Sequence, residues 1–176
     1  MFKVNLKTYA VIPVNLKVKT MFQVHALVPE LWCSNFNESL HFYMEVVGVS
    51  LAQRRGNNLH AYLKLVNAQI MIARSRQDGT WVPSPLEKPY GRGVNFQILT
   101  KNLKTIYESA LFVGIKSFVE LHTGRFWRTD RMEEWTKFGL LDPDGYLLRF
   151  TEVGSHRSIE QSDMDTLDEK RGAMPL

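Results

Sequence analysis

The chain has 176 residues, 44% of them hydrophobic, with a formal net charge of +4 and a pI near 9.2. That is enough for one well-buried core, and the single Cys33 excludes an internal disulfide and a cysteine zinc knuckle. No apolar run approaches membrane-spanning length, and Lys and Arg are scattered rather than gathered into a stripe, so the expectation is a cytoplasmic protein that engages neither membrane nor nucleic acid.

Residues 1–26 alternate Val14, Leu16 and Val18 with Asn15, Lys17 and Lys19, the pattern of a strand with one dry face. Val4-Asn5-Leu6-Lys7 recurs as Val14-Asn15-Leu16-Lys17, and Met1-Phe2 is echoed by Met21-Phe22, so 1–26 reads as an accessory extension outside the site. Leu27 to Cys33 reads as a strand. A helix follows, opened by Asn35 with Glu38 three residues on, carrying Leu40, Tyr43, Met44 and Val47 at helical spacing, and closed by Gly48. Strands over 49–54, 60–66 and 69–73, joined at Gly56-Asn57-Asn58 and Val66-Asn67-Ala68, complete a βαβββ unit.

Residues 75–92 are rich in proline and glycine, with Trp81 and Tyr90 as the large anchors, and read as a packed linker. The same order then repeats: a strand at 94–100, a helix from Asn102 to Val113 closed by Gly114, and strands at 117–122, 135–141 and 147–152. Arg125-Phe126-Trp127-Arg128 interleaves basic and aromatic residues and reads as a hairpin loop at a subunit contact. Asp142-Pro143-Asp144-Gly145 supplies what a tight reversal needs, and the following strand sets Leu148 and Phe150 against a core with Leu147, Arg149 and Thr151 on the other face. The predicted organisation is one domain over 27–152, with modules 27–74 and 93–152, and a polar tail over 153–176.

Phe42-Tyr43 followed by Gly48, the run Gly93-Val94-Asn95-Phe96, and Asp142-Pro143-Asp144-Gly145-Tyr146-Leu147-Leu148-Arg149-Phe150 together resemble the vicinal oxygen chelate superfamily. That superfamily includes the glyoxalases, the extradiol dioxygenases, the fosfomycin resistance enzymes and the bleomycin resistance proteins. The resemblance implies an α+β fold, two βαβββ modules forming a curled mixed sheet around a concave cavity. It also implies that an enzyme of this kind would hold a divalent metal through His, Gln or Glu on the first and last strands of each module. Those positions correspond here to Val28, Met71, Asn95 and Arg149, and a register slip offers Glu30, Gln69, Gly93 or Gln97, and Leu147 or Thr151. No combination gives three or four His and carboxylate ligands, and an arginine repels a cation. The expectation is therefore no metal, no other cofactor and no catalytic residue. His25, His41 with Glu45, His122 and His156 read as surface groups, and Cys33 as buried and inert.

Alternation places Glu30, Trp32, His60, Tyr62, Lys64, Met71, Asn95, Gln97 and Arg149 on the cavity face, with Trp81 from the linker and Phe138 from the seventh strand as further ligand-binding candidates. Aromatic walls with a few polar groups describe a pocket for a flat, partly polar small molecule. This is most similar to the bleomycin resistance proteins, which sequester a drug in grooves at a homodimer interface, and Pro29 falls where that subfamily has a proline. Bleomycin is cationic, whereas Lys64 and Arg149 here face a single Glu30, so the expected ligand is a neutral or anionic aromatic, an antibiotic being one candidate. The alternative is a divalent metal-dependent lyase, thiol transferase or dioxygenase of the same superfamily. A third option is a scaffold whose Arg125 to Trp135 segment serves a protein partner.

Overall fold

The computed structural model describes residues 23–55, 59–74, 81–128, 131–160 and 162–164. The internal repeat of the first 22 residues and the Gly56-Asn57-Asn58 connection lie outside them. The first module consists of β1 (Glu30–Cys33), α1 (Phe36–His41, continued as a π-helical segment over Phe42–Val47), β2 (Ser50–Arg54), β3 (His60–Leu65) and β4 (Ala68–Arg74). The second consists of β5 (Asn95–Leu99), α2 (Leu103–Phe112), β6 (Val119–Trp127), β7 (Arg131–Leu141) and β8 (Leu147–Ser158). Each forms its own four-stranded mixed sheet, in the order β1-β4-β3-β2 and β5-β8-β7-β6. In both, the first strand runs parallel to the last, and the remaining pairs are antiparallel.

Local chemistry sets the first helix. Asn35 Oδ1 accepts from the Glu38 amide at 3.3 Å, and Gly48 stops the helix in the left-handed region at φ +76°. The helix lies against the apolar face of its sheet, and so does its counterpart in the second module. Leu31, Leu63, Ile72, Tyr43 and Val47 of one module and Ile98, Ile106, Phe138, Leu148 and Phe150 of the other form a single buried cluster. The modules therefore share one core on their helix-bearing sides. A void of about 10 Å³ remains between Val47, Leu63, Ile70 and Ile98, too small for a ligand.

The Asp-Pro-Asp-Gly turn joins the modules. Asp142 Oδ1 accepts from the Asp144 and Tyr146 amides at 3.0 and 2.8 Å, which builds the turn. Its other oxygen receives the Tyr43 hydroxyl at 2.8 Å, reaching across to the first helix. Asp144, 1% exposed, accepts from the Ser34 amide and hydroxyl at 3.0 and 2.6 Å and lies 2.9 Å from Lys88 Nζ. A buried carboxylate is tolerable because these donors replace its water.

Three strands exceed their predicted lengths by three residues or more. β6 runs to Trp127 and β7 starts at Arg131, so Arg125-Phe126-Trp127 is strand and not the expected loop. β8 continues past residue 152 to Ser158, pairing Arg157 with Met132 and Ser158 with Arg131. This stretch shows little apolar alternation because its strands are tied by polar groups instead. Glu133, 5% exposed, accepts from Arg128 Nε, Arg131 Nε and Trp135 Nε1 at 2.8, 2.7 and 2.8 Å, and these donors hold its carboxyl down to about 2.

Candidate ligand-binding faces

Strand register fixes which side chains share a face. In the first sheet Glu30 stands opposite Met71, Met71 opposite Tyr62, and Tyr62 opposite Gln53, one row across four strands. The next row sets Trp32 beside Ala73 and His60, and the row on the other side sets Lys64 against Gln69. Glu30, Trp32, His60, Tyr62, Lys64 and Met71 are therefore brought together on the face opposite the helix.

That face is largely filled by its own side chains. Tyr62 is 7% exposed, with the Arg55 guanidinium 5.7 Å over its ring and the His60 ring 5.4 Å away. His60 Nε2 lies 3.3 Å from Glu30 Oε1, and burial together with Arg55 lowers the histidine's pKa against the opposing pull of Glu30. The pair is thus a hydrogen bond from neutral imidazole to carboxylate. It leaves Nδ1 buried and without a partner, so the lone pair a general base would need is shut away from the face. Gln69 is committed to the segment before β1: its Oε1 accepts from the His25 amide at 3.0 Å and its Nε2 donates to the Gln23 carbonyl at 2.8 Å. Residues 23–25 of the N-terminal extension therefore lie against this face.

The second sheet presents a more open face. Gln97 pairs with Arg149, Arg149 with Gly139, and Gly139 with Val119. Adjacent rows carry Asn95 with Leu147, and Leu99 with Thr151, Lys137 and His122. Asn95, Gln97 and Leu99 are exposed, and Arg149 and Lys137 half-buried. Arg149 Nη2 donates to Gln97 Oε1 at 2.5 Å, while its Nε is buried without a hydrogen bond.

Two candidates fall elsewhere. Phe138 is 1% exposed and stacks on Phe150 at 5.2 Å in the core, because β7 turns its even-numbered residues toward α2. Trp81 is 78% exposed on the linker and joins neither face. Conversely, Lys137, Trp135 and Phe126 share the Arg149 side of the second sheet and were not among the candidates. Lys137 Nζ sits 3.9 Å over the Phe126 ring, which lies 5.3 Å from Trp135, with Arg128 5.7 Å over the indole. The alternation Trp135, Lys137, Gly139 within the predicted strand 135–141 was the available signal, obscured by placing Phe138 on the cavity face.

The metal that the resemblance implies for an enzyme does not fit the residues present. Val28, Met71, Asn95 and Arg149 offer no imidazole or carboxylate, and the slipped position Glu30 is bonded to His60 while Gln69 is bonded to the chain. Among the described residues no group of three His, Cys, Asp or Glu side chains is placed to hold a metal ion. No described helix is long and apolar enough to cross a membrane.

Two βαβββ modules, each with its own four-stranded mixed sheet, make this the α+β architecture that the resemblance implies. No family model matches the sequence, and no curated protein is a significant relative. Solved structures do match. TioX from Micromonospora sp. ML1 has 16% identity and a TM-score of 0.54, over 74% of this chain and 97% of that one. A virulence protein from Salmonella typhimurium has 17% identity and a TM-score of 0.52, over 74% of this chain and 98% of its own. A glyoxalase/bleomycin resistance protein/dioxygenase from Alicyclobacillus acidocaldarius has 22% identity and a TM-score of 0.48, over 77% and 92%. The two neighbours with a TM-score above 0.5 establish likeness of fold alone, and function has to be argued from the faces.

Proposed function

We propose that the protein is a metal-free small-molecule-binding protein of bleomycin-resistance type, sequestering a neutral or anionic aromatic ligand in a groove at a homodimer interface. The observation that carries this is Arg149, which stands at the resemblance's last metal-ligand position and, among the described residues, hydrogen-bonds to the neutral Gln97 alone. A guanidinium there favours an anion and opposes a cation. Among the described residues neither helix-free face has a second wall, and a face from a second copy would complete a groove, which supports the dimer. Trp32 and Met71 on one face and Trp135 and Phe126 on the other supply aromatic and soft apolar surface.

The test is calorimetry on protein purified without chelator, comparing metal-free bleomycin with anionic aromatics, together with metal analysis and the mass in solution. The expected result is a dimer without stoichiometric metal that prefers the anionic compounds. Bleomycin bound more tightly than every anionic aromatic would remove the ligand class. The alternative, a divalent metal-dependent enzyme, draws on Glu30 and His60 as two donors on one face. Stoichiometric zinc, nickel, manganese or iron would establish it instead.

A further inference from the structure

We infer that Arg149 and Lys137 together form an oxyanion subsite on the second module, taking the carboxylate, sulfonate or phosphate group of an aromatic ligand whose rings lie toward Trp135. The inference rests on the proposed binding role of these faces and adds to it a residue, Lys137, and a direction.

Register brings the two cations together. Lys137 pairs with Thr151 and Gly139 with Arg149, so Lys137 and Arg149 are diagonal neighbours on adjacent strands of one face. Such positions lie roughly 7–8 Å apart, within reach of one anion for side chains this long. Gly139, directly opposite Arg149, puts no side chain of its own between them. Among the described residues neither cation forms an ion pair, and the carboxylate further along the same face, Glu133, is fully engaged by Arg128, Arg131 and Trp135. Among the described residues the buried Arg149 Nε is a donor without an acceptor.

The cation–π contact at 3.9 Å sets the Lys137 ammonium over Phe126, on the Trp135 side of its own row, so that reaching an anion held by Arg149 takes a rotamer change of this long side chain. From the Gly139 row to the Trp135 row is four residues along β7, roughly 13 Å at about 3.4 Å per residue. That span suits a molecule of two or three fused or linked rings carrying its anion at one end.

Two fluorescent probes of nearly the same ring system separate the possibilities: 8-anilinonaphthalene-1-sulfonate and the neutral N-phenyl-1-naphthylamine. On the unaltered full chain the sulfonate should bind more tightly, weaken with salt, and be displaced by inorganic phosphate. Lys137→Gln and Arg149→Met should each raise its Kd about tenfold and flatten the salt dependence while leaving the neutral probe unchanged, as expected for loss of one charge-assisted contact. Lys104→Gln, on exposed α2, should change neither, and circular dichroism checks that every variant is folded. Sulfonate binding indifferent to phosphate, or unaltered in Lys137→Gln, overturns the subsite while saturable neutral-probe binding keeps the groove. If neither probe saturates on folded protein, the binding role falls and the subsite with it.

Discussion

Glu133 illustrates how one residue organises a region that hydrophobic pattern does not reveal. Its three donors come from Arg128, Arg131 and Trp135, and they hold its carboxyl near 2 against an ordinary 4.5. The folded-state pKa is the lower one, so the stabilisation is complete above about pH 4.5 and is lost as the pH falls toward 2. Glu133→Gln should lower the melting temperature at pH 7, and the difference from the unaltered protein should shrink as the pH falls through that window. Thermal unfolding by circular dichroism at a series of pH values checks this, and a pH-independent difference would show that the carboxylate's charge is not what counts. At the same scale Asp142 and Asp144 were visible in the sequence as turn formers. Their second role, accepting from Tyr43, Ser34 and Lys88, was not visible, because those partners lie about a hundred, a hundred and ten, and fifty-six residues away in the chain.

Turns and strands fell where local chemistry is strong. Gly48 and Gly145 both sit at positive φ, +76° and +92°, but their surroundings differ. A methyl group at Gly48 would meet nothing within 4 Å, whereas one at Gly145 would lie 2.4 Å from Pro89 Cβ and 2.7 Å from Pro89 Cα. Gly48→Ala should therefore cost about 1–2 kcal/mol, the left-handed penalty alone. Gly145→Ala adds a backbone clash and should cost about 2–5 kcal/mol, because the linker has to shift. Urea unfolding measures both, and equal losses would mean that the linker yields freely. The β6–β7 hairpin and the end of β8 were read too short for a reason of the same kind. Strands held by Glu133 and by the Phe126 and Trp135 contacts carry polar residues on both faces, and period-two alternation cannot mark them.

At the scale of the molecule, the shared core makes the two modules one cooperative unit. Val47 of the first helix meets Ile98 of the second module, and Tyr43 bonds Asp142, so neither half can open without exposing the other. Unfolding followed by far-UV circular dichroism, tryptophan fluorescence and Cys33 labelling should give coincident transitions. Cys33 is suited to this, being 2% exposed with burial pushing its thiol up to about 12, so Ellman's reagent should reach it only on unfolding. Labelling that precedes the fluorescence change would show the first module opening on its own.

The sequence by itself determined the duplicated βαβββ order, the helix bounds near Asn35 and Gly48, and the alternation that puts Glu30, Trp32, His60, Tyr62 and Arg149 opposite the helices. These follow from interactions a few residues long, which backbone period and turn chemistry encode directly. Only the tertiary structure decided that the modules join through their helix-bearing sides, that Phe138 belongs to the core, and that Gln69 is spoken for by residues 23–25. It also placed Lys137 beside Arg149. Those outcomes depend on which of two available faces each strand buries and on pairings between distant segments, and a one-residue change of register would have reversed them.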